Sequence, residues 1–290
     1  MGTGTFLGLD ATGEDAAAVV LPVPLEATVS YERGTAHGPR AILAASEQVE
    51  LYDREFDAEP ALLHGIRTLP ELVLPPDLGE AVERIADAVA AIAARSRLPV
   101  VLGGEHTVTV GVVRGLLRAH EGPLTIVQVD AHADLRDTYD GTPLSHACAA
   151  RRWLDDPRVE QVLQVGLRSE SAEDAAFARS QPERVHAFPV EELRGSEWQQ
   201  RLATRLAGRN VHLTLDVDGL DPSVVPATGT PEPGGLTWWQ ALEVIRITAR
   251  ASARVVAVDC VELAPREGQH AADFTVAKLV YKAISHALAA

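Results

Sequence analysis

The sequence has 290 residues, of which 46% are hydrophobic, and its 26 basic and 41 acidic residues give a formal net charge of −15. This length is ample for a buried core, while the acidic balance argues against nucleic acid or an anionic membrane as a partner and suits a small cationic substrate. Two cysteines are too few for a disulfide scaffold, and the sequence shows neither a signal-peptide pattern nor an apolar run of membrane-spanning length, so we expect a cytoplasmic protein.

Short apolar runs rich in Val, Ile and Leu alternate with helical patterns along the chain. In chain order the predicted strands are 17–23, 99–102, 124–129, 161–167, 211–215 and 255–258. The predicted helices are 40–51, 78–95, 107–120, 171–179, 198–207, 238–251 and 272–289. Strands without polar alternation are buried on both faces, and their alternation with helices indicates parallel crossovers. We therefore predict one α/β domain over 1–290, a three-layer αβα sandwich with a mainly parallel central sheet.

Four of the predicted strands run directly into polar segments. These are 103–106 (Gly-Gly-Glu-His), 130–134 (Asp-Ala-His-Ala-Asp), 216–218 (Asp-Val-Asp) and 259–262 (Asp-Cys-Val-Glu). The carboxyl ends of parallel strands share one edge of the sheet, where open α/β folds place their active sites. We therefore expect polar groups from distant parts of the sequence to meet in one crevice.

The acids and imidazoles of these segments suit two hard divalent cations. The candidate ligands are Asp130, His132, Asp134, Asp216 and Asp218. Without a thiolate cluster, this set suits Mn²⁺ better than a structural zinc, and two such ions can lower the pKa of a shared water towards neutrality. Asp130 and Asp216 each open a segment and are predicted to bridge the ions. His106 alone would equally suit a helix start, but beside these segments it is predicted to be a sixth ligand.

The same segments identify a family resemblance. The chain resembles the ureohydrolases, the arginase and agmatinase family of dimanganese amidinohydrolases. The matching segments follow the family order over nearly the whole chain and are 103–106, 130–134, 145–147 (Ser-His-Ala), 216–222 (Asp-Val-Asp-Gly-Leu-Asp-Pro) and 228–236 (Thr-Gly-Thr-Pro-Glu-Pro-Gly-Gly-Leu). The last two are highly specific to the family, and Glu232 between two prolines resembles agmatinases more than arginases.

The resemblance implies an arginase-like fold that holds two Mn²⁺ ions per chain. One ion would take His106, Asp130, Asp134 and Asp216. The other would take Asp130, His132, Asp216 and Asp218. Because the family forms trimers and hexamers, the resemblance also implies a homo-oligomer.

The resemblance further implies roles around a small cationic guanidino substrate. His146 falls at the family's mobile-loop histidine, proposed to carry protons, and the ordinary pKa of an imidazole suits that task. Glu262 falls where the family orients the guanidinium, although the residues alone leave it open as an ion-pair partner of Arg266. Thr230 corresponds to a position near the substrate. The implied reaction releases urea and an amine, which takes a proton from Asp134 or His146.

Within the family we expect agmatine to be the substrate, giving putrescine and urea. Arginases follow the second segment with small polar residues that hold a carboxylate, whereas this chain has Leu-Arg-Asp-Thr-Tyr-Asp at 135–140. Asp137 and Asp140 could screen a terminal ammonium, while Arg136 could instead pair with the carboxylate of guanidinobutyrate. Guanidinobutyrase, aminopropylagmatine ureohydrolase and arginase activities stay open as alternatives.

Three other classes of protein compete with this interpretation. A cysteine-dependent amidine hydrolase would use Cys148 beside His146, but two residues at that spacing lie on different faces of a helix. A deacetylase-like enzyme would need one zinc, and the ligand set exceeds that need. A non-catalytic metal-binding protein would more plausibly have lost a ligand, and none is missing. The number of metal ions per chain separates these classes.

Overall fold

The computed structural model of the chain describes residues 4–9 and 16–289, and the fold is given for those residues. Its strands are β1 (Ala18–Val23), β2 (Ile66–Thr68), β3 (Leu98–Gly103), β4 (Leu124–Val129), β5 (Val159–Val165), β6 (Val185–Phe188), β7 (Asn210–Asp216) and β8 (Arg254–Val261). They form one eight-stranded sheet in the order β2-β1-β3-β8-β7-β4-β5-β6, with each neighbouring pair parallel.

Helices cover both faces of this sheet. They are α1 (Gly38–Ser46), α2 (Pro60–His64), α3 (Leu78–Ala93), α4 (Thr107–Ala119), α5 (Ala149–Trp153), α6 (Ala172–Ser180), α7 (Glu197–Leu206), α8 (Trp238–Ala251) and α9 (His270–Ala289). One apolar cluster joins one face of the sheet to α1, α7, α8 and α9, and a second joins the other face to α3, α4 and α5. The predicted three-layer sandwich is therefore confirmed, and its sheet is parallel throughout.

The four strands predicted to end in polar segments are the four central ones. β3, β8, β7 and β4 are neighbours in the sheet, although other strands separate β3 from β8 and β4 from β7 in the sequence. Their side chains are buried almost throughout, which explains why the sequence shows apolar runs without polar alternation. The sheet order thus brings segments 103–106, 130–134, 216–218 and 259–262 to one edge.

Two strands and two helices were not predicted from the sequence. β2 and β6 are the outermost strands and have three and four residues, and each includes partly exposed polar side chains such as Arg67 and His186. α2 and α5 have five residues each, too few for a clear helical period. Predicted ends also differ by a few residues, as for the strand predicted at 161–167 and observed at Val159–Val165. Within the described ranges, no helix combines the length and apolarity needed to cross a bilayer.

Candidate metal centre

A cavity of about 260 Å³ opens at the carboxyl edge of the central strands. The predicted site residues that line it are His106, His132, Asp134, His146, Asp216, Asp218, Thr230 and Glu262. Asp130 is only 1% exposed and contributes its carboxylate to the same centre without lining the open space. The structure thus brings together all the residues predicted from the four segments and from the resemblance.

The first donor group forms around His106. Its Nδ1 lies 3.0 Å from a carboxylate oxygen of Asp134, 3.2 Å from one of Asp130 and 3.3 Å from one of Asp216. Nδ1 is buried and has no partner in hydrogen-bond geometry, although Nε2 contacts the Thr214 hydroxyl at 3.2 Å. Three carboxylates thus surround a buried imidazole nitrogen that makes no hydrogen bond. A metal ion would complete this arrangement.

The second donor group forms around His132 and shares Asp130 with the first. Nδ1 of His132 lies 3.0 Å from Oδ2 of Asp218 and 3.7 Å from Oδ1 of Asp130. Asp130 therefore presents Oδ1 to one group and Oδ2 to the other. Asp216 presents Oδ2 to the first group, while its Oδ1 accepts the backbone N–H of Asp218 at 2.9 Å. Bridging by Asp216 stays a prediction.

The crowding of acids shapes the electrostatics of this centre. Burial, followed by the charges of Asp218 and Asp130, raises the pKa of Asp216 well above its usual range. Burial acts to lower the pKa of His132, but those same two carboxylates outweigh it and raise that pKa to about 12. The protein alone would balance its acids by holding protons here. Divalent cations would supply the same positive charge, and the oxygen and imidazole donors suit Mn²⁺.

Close backbone packing and one arginine hold the donor segments in place. A Cβ at Gly104 would lie 1.9 Å from the carbonyl oxygen of Leu25, so only glycine fits where β3 turns towards His106. Arg168 follows β5 and donates to the carbonyls of Asp218 at 2.6 Å and Glu232 at 2.8 Å. These hydrogen bonds connect segments 216–222 and 228–236. Oγ1 of Thr230 lies 3.3 Å from Oδ2 of Asp218.

Glu262 follows β8 and brings a carboxylate to the cavity wall. It accepts the backbone N–H of His106 at 2.6 Å, and its φ of 66° is a strained conformation for a residue with a side chain. Burial, followed by the charge of Glu105, raises the pKa of Glu262 well above its usual range. A bound cation would lower that pKa again. Arg266 donates instead to the carbonyl of Thr228, so the alternative of a Glu262–Arg266 ion pair is wrong.

His146 begins a short 3-10 helix on another wall of the cavity. Its backbone N–H donates to Oγ1 of Thr28 at 3.0 Å, and its Nδ1 lies 3.1 Å from the same oxygen. The Thr28 hydroxyl donates to Oε1 of Glu105 at 2.8 Å, while Oε2 of Glu105 accepts the N–H groups of Ala27 and Thr28 at 2.7 Å. A buried carboxylate therefore orders the loop that holds His146.

The outer wall of the cavity is formed by Tyr31, Glu32, Arg136, Tyr139, Glu170 and Ser171. The Arg136 guanidinium lies 4.6 Å from the centre of the Tyr139 ring, and its Nε is 3.8 Å from the buried carboxylate of Asp174. Arg136 thus reaches the cavity with its charge partly balanced. Glu32 and Glu170 are exposed and place two further carboxylates at the mouth.

The suggestion that Asp137 and Asp140 could screen a substrate ammonium is not supported by the lining of the cavity. Among the described residues that line the cavity, neither is found. Asp137 instead receives a hydrogen bond from Arg152 at 2.8 Å. The loop instead brings Arg136 and Tyr139 to the cavity, which composition alone does not reveal.

The alternative of a cysteine nucleophile finds no support in the site. Cys148 is fully buried and lies outside the cavity lining formed by the described residues. Burial raises the pKa of its thiol to about 11, which disfavours the reactive thiolate.

The prediction omitted Gln128 and Thr28, which touch predicted site residues, and Gln164, which touches Gln128. Gln128 donates to Asp130 at 2.8 Å and accepts from Gln164 at 2.9 Å. A signal was available for Gln128, since it is a polar residue next to apolar ones in a buried strand and stands two residues before Asp130. No local pattern marks Thr28, because its partner His146 is 118 residues away.

Comparison with known proteins gives concordant matches over nearly the whole chain. A model of the Arginase family matches residues 16–285. The N(1)-aminopropylagmatine ureohydrolase of Synechocystis sp. is 38% identical over 94% of this chain and 89% of its own length. The agmatinase of Bacillus cereus is 33% identical over 87% of this chain and 85% of its own length. The structure of the agmatine ureohydrolase of Thermoplasma volcanium matches with a TM-score of 0.84 and 29% identity, covering 96% of this chain and 92% of that one.

Proposed function

Because this chain belongs to the arginase family of ureohydrolases, we propose that it binds two Mn²⁺ ions and hydrolyses agmatine to putrescine and urea. The observation that carries the proposal is Asp130, whose two oxygens face two separate histidine and carboxylate groups beside one cavity. A single zinc would leave one of these groups without an ion. The cavity also presents Glu262, a carboxylate that a guanidinium would neutralise.

The two donor groups support the following ligands for each ion, with Asp216 added to the second ion from the family resemblance. One ion would take His106, Asp130, Asp134 and Asp216. The other would take Asp130, His132, Asp216 and Asp218. When bound, such a pair supplies Lewis acidity and lowers the pKa of a shared water towards neutrality.

The remaining residues would bind the substrate and move protons. Glu262 can accept two N–H bonds from the planar guanidinium, which fixes its orientation in the cavity. His146, on another wall, or Asp134 would give the leaving amine its proton. Thr230 donates to Oδ2 of Asp218 at 3.3 Å and would keep that carboxylate turned towards His132.

A longer polyamine is a second candidate substrate, because the mouth of the cavity is acidic. Glu32 and Glu170 are exposed carboxylates that line the cavity and could bind the distal ammonium of N(1)-aminopropylagmatine. The Synechocystis relative carries that substrate in its name. Guanidinobutyrate is the competing choice, since the Arg136 guanidinium could pair with its carboxylate.

A panel of four substrates tests these choices. Urea release from agmatine, N(1)-aminopropylagmatine, guanidinobutyrate and arginine should be measured on the Mn²⁺-loaded protein. We expect arginine to be slower by a factor on the order of a thousand, because its carboxylate finds no dedicated partner. Guanidinobutyrate turnover that equals that of agmatine and is abolished by Arg136→Ala would contradict the choice of a cation.

The mouth acids can be tested with matched substitutions. Glu32→Gln and Glu170→Gln should raise the KM for N(1)-aminopropylagmatine more than the KM for agmatine. Glu173→Gln is the control, because that exposed carboxylate lies in the same stretch of chain as Glu170 and accepts the N–H of Asp137 outside the cavity. Equal KM changes for both substrates would remove the longer polyamine as a candidate.

We also propose that the protein acts in the cytoplasm as a homo-oligomer, a trimer or a hexamer. Exposed apolar side chains such as Leu62, Leu63 and Val73, which are 55%, 69% and 79% exposed, support a subunit contact. A mass measurement in solution that gave the mass of one chain would contradict the oligomer.

A further inference from the structure

Two buried glutamines form a hydrogen-bonded ladder beneath the segment 130–134. Gln128 of β4 and Gln164 of β5 stand opposite each other in the sheet and are 0% and 1% exposed. Nε2 of Gln164 donates to Oε1 of Gln128 at 2.9 Å, and Nε2 of Gln128 donates to Oδ2 of Asp130 at 2.8 Å. Burial of an amide costs free energy unless the amide is hydrogen-bonded, so these hydrogen bonds stabilise the two buried side chains.

The direction of this ladder is determined at both of its ends. Nε2 of Gln164 also donates to the carbonyl of Ala133 at 2.6 Å, and Nε2 of Gln128 also approaches the carbonyl of His132 at 3.4 Å. A backbone carbonyl can only accept, and so can the ionised carboxylate of Asp130. Both amide nitrogens must therefore face the metal-binding segment, and Gln164 sets the orientation of Gln128.

The ladder also limits which lone pairs of Asp130 are free. Oδ2 accepts from Gln128 and faces His106, whereas Oδ1 accepts the N–H of His132 at 2.6 Å and faces the imidazole of His132. A carboxylate oxygen has about two lone-pair sites, so one hydrogen bond on each oxygen leaves one site on each for a metal. This arrangement favours an Asp130 carboxylate that is shared between two ions over one that binds a single ion through both oxygens.

We infer that Gln128 and Gln164 are positioning residues that hold Asp130 for sharing between the two ions. This rests on the proposed binding of two metal ions. Gln128 acts on the carboxylate directly, and Gln164 acts through Gln128, while its bond to the carbonyl of Ala133 fixes its own orientation. Neither residue lines the cavity within the described chain, so neither is expected to touch the substrate.

Methionine substitutions test the inference, because methionine keeps an unbranched side chain of similar length without the amide. Metal-free protein carrying Gln128→Met or Gln164→Met should be titrated with Mn²⁺, and its free energy of unfolding measured in the same state. We expect Gln128→Met to weaken Mn²⁺ binding about 10- to 100-fold, as loss of partners of metal ligands does. Gln164→Met should weaken it less, and the double variant should bind about as weakly as Gln128→Met, because the two residues act in series.

Gln161→Met is the matched control. Gln161 is a buried glutamine on β5, the strand that holds Gln164. It donates to Thr125 and to the carbonyl of Arg205, away from the donor groups. The Gln161→Met variant should lose stability without losing Mn²⁺ affinity.

Equal Mn²⁺ affinities in all variants, with stability lowered alike, would overturn the inference and leave the proposed function intact. A native protein that binds no pair of Mn²⁺ ions would instead overturn the proposed function and this inference with it. If Gln128→Met does not fold, the milder Gln164→Met still decides between these outcomes.

Discussion

The contact between Thr28 and His146 has a defined hydrogen-bond direction. Oγ1 of Thr28 lies 3.1 Å from Nδ1 of His146, and the single Thr28 hydroxyl proton is directed to Glu105. Nδ1 must therefore carry the proton that it shares with Thr28. That leaves Nε2, which has only a 3.4 Å contact with Ser30, as the nitrogen that can exchange protons in the cavity.

Removing the Thr28 hydroxyl should therefore slow turnover without disturbing the metals. Thr28→Val should lower kcat about tenfold, since a misplaced proton carrier forfeits part of the 100- to 10,000-fold that such a group contributes. His146→Ala should lower kcat further, with Mn²⁺ content unchanged in both variants. Thr28→Ser should restore most of the activity because it restores the hydroxyl. Loss of metal in His146→Ala would show that His146 is a ligand.

The two donor groups should respond differently to substitution. Chelation should abolish activity, and added Mn²⁺ should restore it with two ions per chain by elemental analysis. Asp130→Asn should lose both ions because Asp130 faces both groups, whereas His106→Ala should mainly weaken one. A single zinc per chain in active protein would exclude the two-ion centre.

Glu262 should contribute to substrate orientation and leave metal binding unaffected. Glu262→Gln keeps the size of the side chain but removes its charge, so we expect kcat/KM to fall about 10- to 100-fold, the value of a charge-assisted hydrogen bond. Mn²⁺ content should not change. Glu267→Gln is the matched control, because that glutamate is exposed and lies five residues further along the chain. Equal losses in the two variants would remove Glu262 from the site.

Away from the cavity, Glu55 should stabilise the fold in a pH-dependent way. Arg246 donates two hydrogen bonds to its carboxylate at 2.8 and 2.9 Å, and the pKa of Glu55 is lowered from 4.5 to about 2, first through those bonds. A lowered pKa in the folded state gives stability that is complete above pH 4.5 and lost as the pH falls towards 2.

Glu55→Gln should therefore lower the free energy of unfolding by at most about 3 kcal/mol at neutral pH. Denaturant titrations of both proteins at several pH values should show the difference shrinking below pH 4.5. A difference that stays constant with pH would contradict the role of this charge.

The sequence predicts the ligand segments well because their position depends on one simple property of parallel sheets. Apolar strands that run into acids and histidines place those residues at a common edge, whatever their order along the chain. The ladder of Gln128 and Gln164 could not be predicted in this way. It depends on the register that places β4 beside β5, and that register joins residues 36 positions apart. The inward turn of Arg136 and the outward turn of Asp137 depend likewise on loop conformation, which no hydrophobic period specifies.

β8 is the last strand in chain order, yet it lies between β3 and β7. In the described sheet it is the link between a group of β2, β1 and β3 and a group of β7, β4, β5 and β6. During synthesis the residues of both groups are made before residues 254–261 emerge, so β8 is the last strand available to pair with either group. His106 follows a strand of the first group, and His132 follows a strand of the second. The two histidines thus follow strands on opposite sides of β8, so we expect the uptake of metal by a refolding chain to depend on the pairing of β8 with both groups.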